Sequence, residues 1–166
     1  MKETDVLIAH NKDVYNIKVE GRANLEYAPP LRTLAKTIEG EKFEKISIDL
    51  EKCTAMDSTF MGVLAMLSLR AKKIGSDIEI VNATDSNIAL LRGLGIDKLF
   101  NLVKRDTSEV QEKQVWEKTE TGADKLMTAE TILDAHDTLM DVDPGNIPKF
   151  EKVVDLTRKE IDKMDK

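Results

Sequence analysis

The sequence predicts an α/β fold: a mixed, mainly parallel β-sheet with helices packed against it, followed by a C-terminal helical hairpin. Three observations lead there. Apolar alternation and helical periodicity take turns along the first hundred residues, as they do where strands are joined by crossover helices. Hydrophobic residues make up 41% of the chain but aromatics only 4%, so the core is aliphatic. Beyond residue 103 the alternation stops, and two helical stripes separated by "DPGN" complete the chain. The 166 residues therefore divide into a domain at 1–103, a polar connector at 104–124 and a helical extension at 125–166.

The elements follow in order. "DVLIAHNKDVYNIKVEG" reads as two strands around an Asn11-Lys12-Asp13 turn, the second carried by Val14, Ile17 and Val19, with a slip near Tyr15 and an end at Gly21. "NLEYAPPLRTLAKTIEG" is a helix that tolerates Pro29 and Pro30 at its start, buries Leu31, Leu34, Ala35 and Ile38, and stops at Gly40. Ile46, Ile48 and Leu50 alternate as a strand. From Phe60 the period changes: Phe60, Val63, Leu64, Leu67, Ala71 and Ile74 form a helical stripe closed by Lys72, Lys73 and Gly75. "DIEIVNA" is a short strand, "TDSNIALLRGLG" a short helix and "DKLFNLV" a last edge strand. The connector, low in apolar residues, reads as extended and partly mobile, with Trp116 docking it onto the body. In the tail, Ile132, Leu133, His136, Leu139 and Met140 share one side of a helix with Thr128 and Thr131 as candidate caps. Ile147, Phe150, Val153, Val154, Thr157 and Ile161 form the stripe of its partner helix.

Charge and cysteine content exclude several classes. The net charge is −6, and no cluster of Lys and Arg suits a phosphate backbone, so nucleic acid is not an expected partner. Residues 1–103 hold 14 basic and 15 acidic side chains; residues 104–166 hold 11 and 16, with Glu130, Asp134, Asp137, Asp141 and Asp143 uninterrupted by a base. Cys53 is the single cysteine, which fits a reducing compartment. No signal-peptide-like core and no apolar run of membrane-spanning length occur, so the expectation is a soluble cytoplasmic protein without a membrane partner.

Little of the usual chemistry is present. His10 and His136 lie in no ligand-spaced cluster, so no metal is expected. Gly93-Leu94-Gly95 ends a helix where a dinucleotide site would start one, and no other phosphate loop exists, so no cofactor is implied. Asn82-Ala83-Thr84 is formally a glycosylation sequon, without weight in a cytoplasmic protein. Asp49 and Asp57 make no supported carboxylate pair. Cys53 reads as a small buried residue.

That leaves "MDSTFMG", residues 56–62, at a strand-to-helix joint. Ser58 lacks the surroundings of a catalytic serine, so no enzyme activity is expected. Asp57 or Ser58 can cap the helix beginning near Thr59, for about 1 kcal/mol. The same helix start, with free N–H groups, also favours an added phosphate.

With these residues in view, the chain resembles the STAS domain family, specifically the bacterial anti-sigma-factor antagonists. Their pattern is a strand ending in a hydrophobic-Asp-Ser-Ser/Thr-Gly-like turn, then an amphipathic helix. Residues 46–102 follow that plan, and "LLRGLGIDKLF" is similar to the family's third helix and the turn after it. The resemblance covers residues 4–103 and leaves the tail outside. It implies a phosphorylation-controlled binding module in a partner-switching pathway. Its partners would be an anti-sigma factor or serine kinase of the histidine-kinase-like ATPase fold and a PP2C-type phosphatase. Ser58 would be the acceptor, with Thr59 as alternate. Asp57 would shape the turn, and Met56, Thr59, Phe60 and Met61 would flank the docking surface. Phe60 stands where many members have glycine, a change in the shape read by the kinase. For the tail three roles stay open: a cap on the domain, self-association as a homodimer, or recruitment of another partner. Two rival functions also stay open, a structural scaffold subunit with phosphorylation-independent binding and a sensor of a nucleotide or small ligand.

Overall fold

The computed structural model describes residues 4–164, the side chains of residues 110 and 111 excepted. The outermost residues of the predicted terminal domains lie outside that range.

β1 (Asp5–Asn11) and β2 (Val14–Ala23) form an antiparallel hairpin. Its turn is tight because Lys12 adopts φ 54°, a left-handed conformation. β2 buries Tyr15, Ile17 and Val19 on one face, so alternation runs unbroken through Tyr15 and Val14 lies on the other side. The strand also continues past Gly21 to Ala23. Gly21, at φ 85°, absorbs an irregularity in the pairing with the next strand rather than ending this one. α1 (Ala28–Thr37) starts on Pro29 and Pro30, as expected.

β3 (Lys45–Met56) runs parallel to β2 and to β4 (Asp77–Val81), and β4 runs parallel to β5 (Asn101–Val103). α2 (Ser58–Lys73) and α3 (Asp85–Gly93) are the intervening helices. The order across the sheet is β5-β4-β3-β2-β1-β6. Ile17, Val19, Ile46, Ile48, Leu50 and Ile80 fill the core beneath α1 and α2, where Leu31, Leu64 and Leu67 meet them. Each such aliphatic side chain taken out of water contributes about 1.5–3 kcal/mol.

The connector is structured. After β5 the chain crosses the opposite, polar face of the sheet, where Asn16, Lys18, Ser47, Asp49 and Glu79 alternate with the core residues. There Arg105 pairs with Glu79, Thr107 Oγ1 lies 3.3 Å from Asp49 Oδ2, and Lys18 Nζ sits 4.6 Å from the Trp116 ring centroid. α4 (Ser108–Glu112) belongs to this strap. β6 (Glu117–Lys118) then pairs antiparallel with β1, covering an edge that would otherwise be open. The strap is held to this face by an ion pair, a hydrogen bond and a cation–π contact rather than by buried apolar side chains.

The strap delivers the chain back to the helical side. α5 (Lys125–Val142) packs on α2, and α6 (Ile147–Met164) packs on α5. The cap of α5 is Asp124, which accepts from Met127 N at 2.8 Å, and not Thr128 or Thr131. Thr131 instead donates to Met127 O from inside the helix.

Candidate functional site

The joint between β3 and α2 is built by Asp57. Its backbone is extended (φ −94°, ψ 174°), and Oδ1 accepts from Phe60 N at 2.8 Å. Oδ2 accepts from Leu25 N at 2.8 Å, and Asp57 N donates to Ala23 O at 3.1 Å. The carboxylate thus caps α2 and ties it to the segment just after β2, while the Asp57 backbone N–H holds the last residue of β2. With the cap role taken by Asp57, Ser58 becomes the first helical residue and its hydroxyl is available for other bonds.

That hydroxyl meets the C-terminal hairpin. Ser58 Oγ lies 2.9 Å from His136 Nε2 on α5. His136 Nδ1 lies 2.7 Å from Ile132 O, which can only accept. In the neutral ring, Nδ1 therefore carries the proton and Nε2 accepts from Ser58. His136 is only 4% exposed and lies against Phe150 of α6, ring centroids 4.8 Å apart. One turn along α2, a Cβ on Gly62 would lie 2.5 Å from Ala135 O and 2.7 Å from Ala135 Cβ. Glycine there lets α2 and α5 approach backbone to backbone. Arg32 of α1 adds a further tie, its Nε donating to Asp134 Oδ2 at 2.8 Å.

The expected site residues separate accordingly. Asp57 and Ser58 are partly buried, while Met56, Thr59, Phe60 and Met61 are buried. Phe60 is wholly enclosed in the core, so its side chain is a packing residue and not a surface one. Thr59 is 6% exposed, far less open to modification than a surface hydroxyl. The extra burial has a simple cause: α2 is covered by the sheet on one side and by α5 on the other.

His136 is the site residue that sequence reasoning missed. The signal lay in α2 itself. Met61, Gly62, Ala65 and Met66, off the expected stripe, are also apolar or small, and a helix without a polar face requires a second cover. Elsewhere, burial pushes the Cys53 thiol up to about 11, against bonds to Ala55 and Ala23 that act to lower it, so it is an inert packing group. Among the described residues no cluster of three or more His, Cys, Asp or Glu side chains is placed to hold a metal. No described helix is long and apolar enough to cross a membrane.

β2-β3-β4-β5 run parallel in a mixed sheet, with α1, α2 and α3 as crossover helices and Asp57-Ser58 at the start of α2. The chain belongs to the STAS domain family: the model described as "Mlab, STAS domain" matches residues 6–104 and ends where the strap begins. Among solved structures, the chain is similar to the Bacillus cell fate determinant SpoIIAA in its phosphorylated form, with a TM-score of 0.53, 13% identity, and coverage of 66% of this chain and 97% of that one. An anti-sigma factor antagonist from Mycobacterium paratuberculosis gives a TM-score of 0.51 and 19% identity over 66% and 93% of the chains. A sulfate transporter family protein from Wolinella succinogenes gives 0.50 and 17% over 56% and 78%. At these identities the likeness is one of fold. Among curated proteins nothing matches the chain.

Proposed function

We propose that this STAS domain is an anti-sigma factor antagonist, a binding module controlled by phosphorylation of Ser58 in a cytoplasmic partner-switching pathway. It carries out no chemistry itself. A serine kinase of the histidine-kinase-like ATPase fold modifies Ser58, and a PP2C-type phosphatase restores it. The observation that carries this reading is the position of Ser58 as first residue of α2, directly after the Asp57 cap. A phosphate there meets the positive end of the helix. Thr59 is buried, which leaves Ser58 as the acceptor. Titration of the kinase against the full chain tests the reading: Ser58→Ala should bind like the parent and Ser58→Asp at least tenfold more weakly. Equal binding by both variants contradicts it.

The hydrogen bond from Ser58 to His136 favours a second reading, a scaffold in which Ser58 is a packing residue and binding is independent of phosphorylation. Oligomers with a partner subunit that survive Ser58→Asp unchanged would support that reading.

A further inference from the structure

We infer that the α5–α6 hairpin occupies the acceptor face of α2 in cis, and that hairpin docking and Ser58 phosphorylation exclude each other. The inference rests on the reading of Ser58 as a phosphoacceptor and adds an autoinhibitory contact to it.

Two observations converge. First, the only hydrogen-bond contact of Ser58 Oγ among the described residues is His136 Nε2, at 2.9 Å. That is already contact distance for two heavy atoms, so a phosphoryl group on Oγ in this rotamer collides with the imidazole. In the transfer, Oγ loses its proton, forms a bond to the γ-phosphorus of a nucleoside triphosphate, and the bond to the diphosphate leaving group breaks. A rotamer change that withdrew His136 would give up the Nδ1 bond to Ile132 O and the packing against Phe150.

Second, α5 cannot slide to make room. Gly62 and Ala135 are in backbone contact, and close-packed helices accommodate a new group by separating rather than by compressing.

By linkage, whatever favours the released hairpin favours modification, and modification favours release by the same factor. The hairpin therefore sets how readily the kinase reaches Ser58, and the phosphorylated chain presents α5 and α6 free of α2. Asn146, which donates to both Leu94 O and Leu139 O at 2.9 Å, holds the far end of α5 near α3 and is a natural pivot.

The test is hydrogen exchange on the full chain carrying phosphoserine at position 58, installed during translation so that no kinase is needed. Amides of residues 125–142 should exchange at least tenfold faster than in the unmodified chain, with residues 45–56 of β3 unchanged. Ser58→Glu serves as the second variant and should move in the same direction. Unchanged protection in α5, or an equal rise in β3, overturns the inference. Failure of the kinase to modify Ser58 in both the parent and His136→Ala, where the covering imidazole is gone, would instead count against the proposed function, so the two failures are separable.

Discussion

Replacing Gly62 by alanine probes the α2–α5 contact through the sign of its effect. In the interior of an exposed helix, alanine in place of glycine stabilises by about 1 kcal/mol. Here the new Cβ would lie 2.5 Å from Ala135 O, a backbone atom that moves only if the helix moves. Forcing a methyl into a close-packed interface costs about 1–3 kcal/mol. The balance is roughly 0–2 kcal/mol of destabilisation. Urea unfolding followed by circular dichroism gives the number. A Gly62→Ala protein more stable than the parent by about 1 kcal/mol, as a helix with no neighbour would be, refutes the packing of α5 on α2 and with it the covered acceptor.

Other consequences can be checked alongside. Asp57→Ala removes a cap and strands the amides of Phe60 and Leu25, so unfolding should show a loss of about 2–4 kcal/mol, and Asp57→Asn a smaller one. Burial acts to raise the pKa of Glu79, but bonds from Arg105 and Ser47 and the nearby Lys45 charge prevail and hold the carboxyl below 4.5. Since the folded pKa is the lower one, this stabilisation is present above pH 4.5 and disappears as pH falls through the folded value. The parent should therefore lose more stability than Glu79→Gln on acidification below pH 4.5, measured by thermal unfolding. Cys53, buried and with its thiol pushed up to about 11, should resist a maleimide reagent in the native protein and react once unfolded.

The core of the fold was legible because its signals are local. Ile46, Ile48 and Leu50 alternate within five residues, and Pro29-Pro30 and Gly40 bracket the first helix. Asp57-Ser58 announced a helix start, though only the geometry assigns the cap to Asp57. The strap escaped because its anchors are polar and distant. Arg105 finds Glu79 across 26 residues, and the alternation that marks this polar face does not say which segment covers it. The same holds for the site. Ser58 and His136 are 78 residues apart, and a histidine on the apolar side of a tail helix says nothing about which helix it meets. Phe60 misled in another way. Its neighbours in the acceptor turn suggested a surface role, whereas its place in the helical stripe of α2 already put it in the core.

The proposed switch depends on Ser58 being a substrate for a serine kinase. Incubation of the full chain with a candidate kinase of the ATPase fold and ATP, followed by peptide mass spectrometry, tests it most directly. The expected result is a single phosphate on Ser58, none on the buried Thr59, and no incorporation into Ser58→Ala. An unmodified Ser58 in both the parent and His136→Ala, with the kinase shown to be active on another substrate, contradicts it.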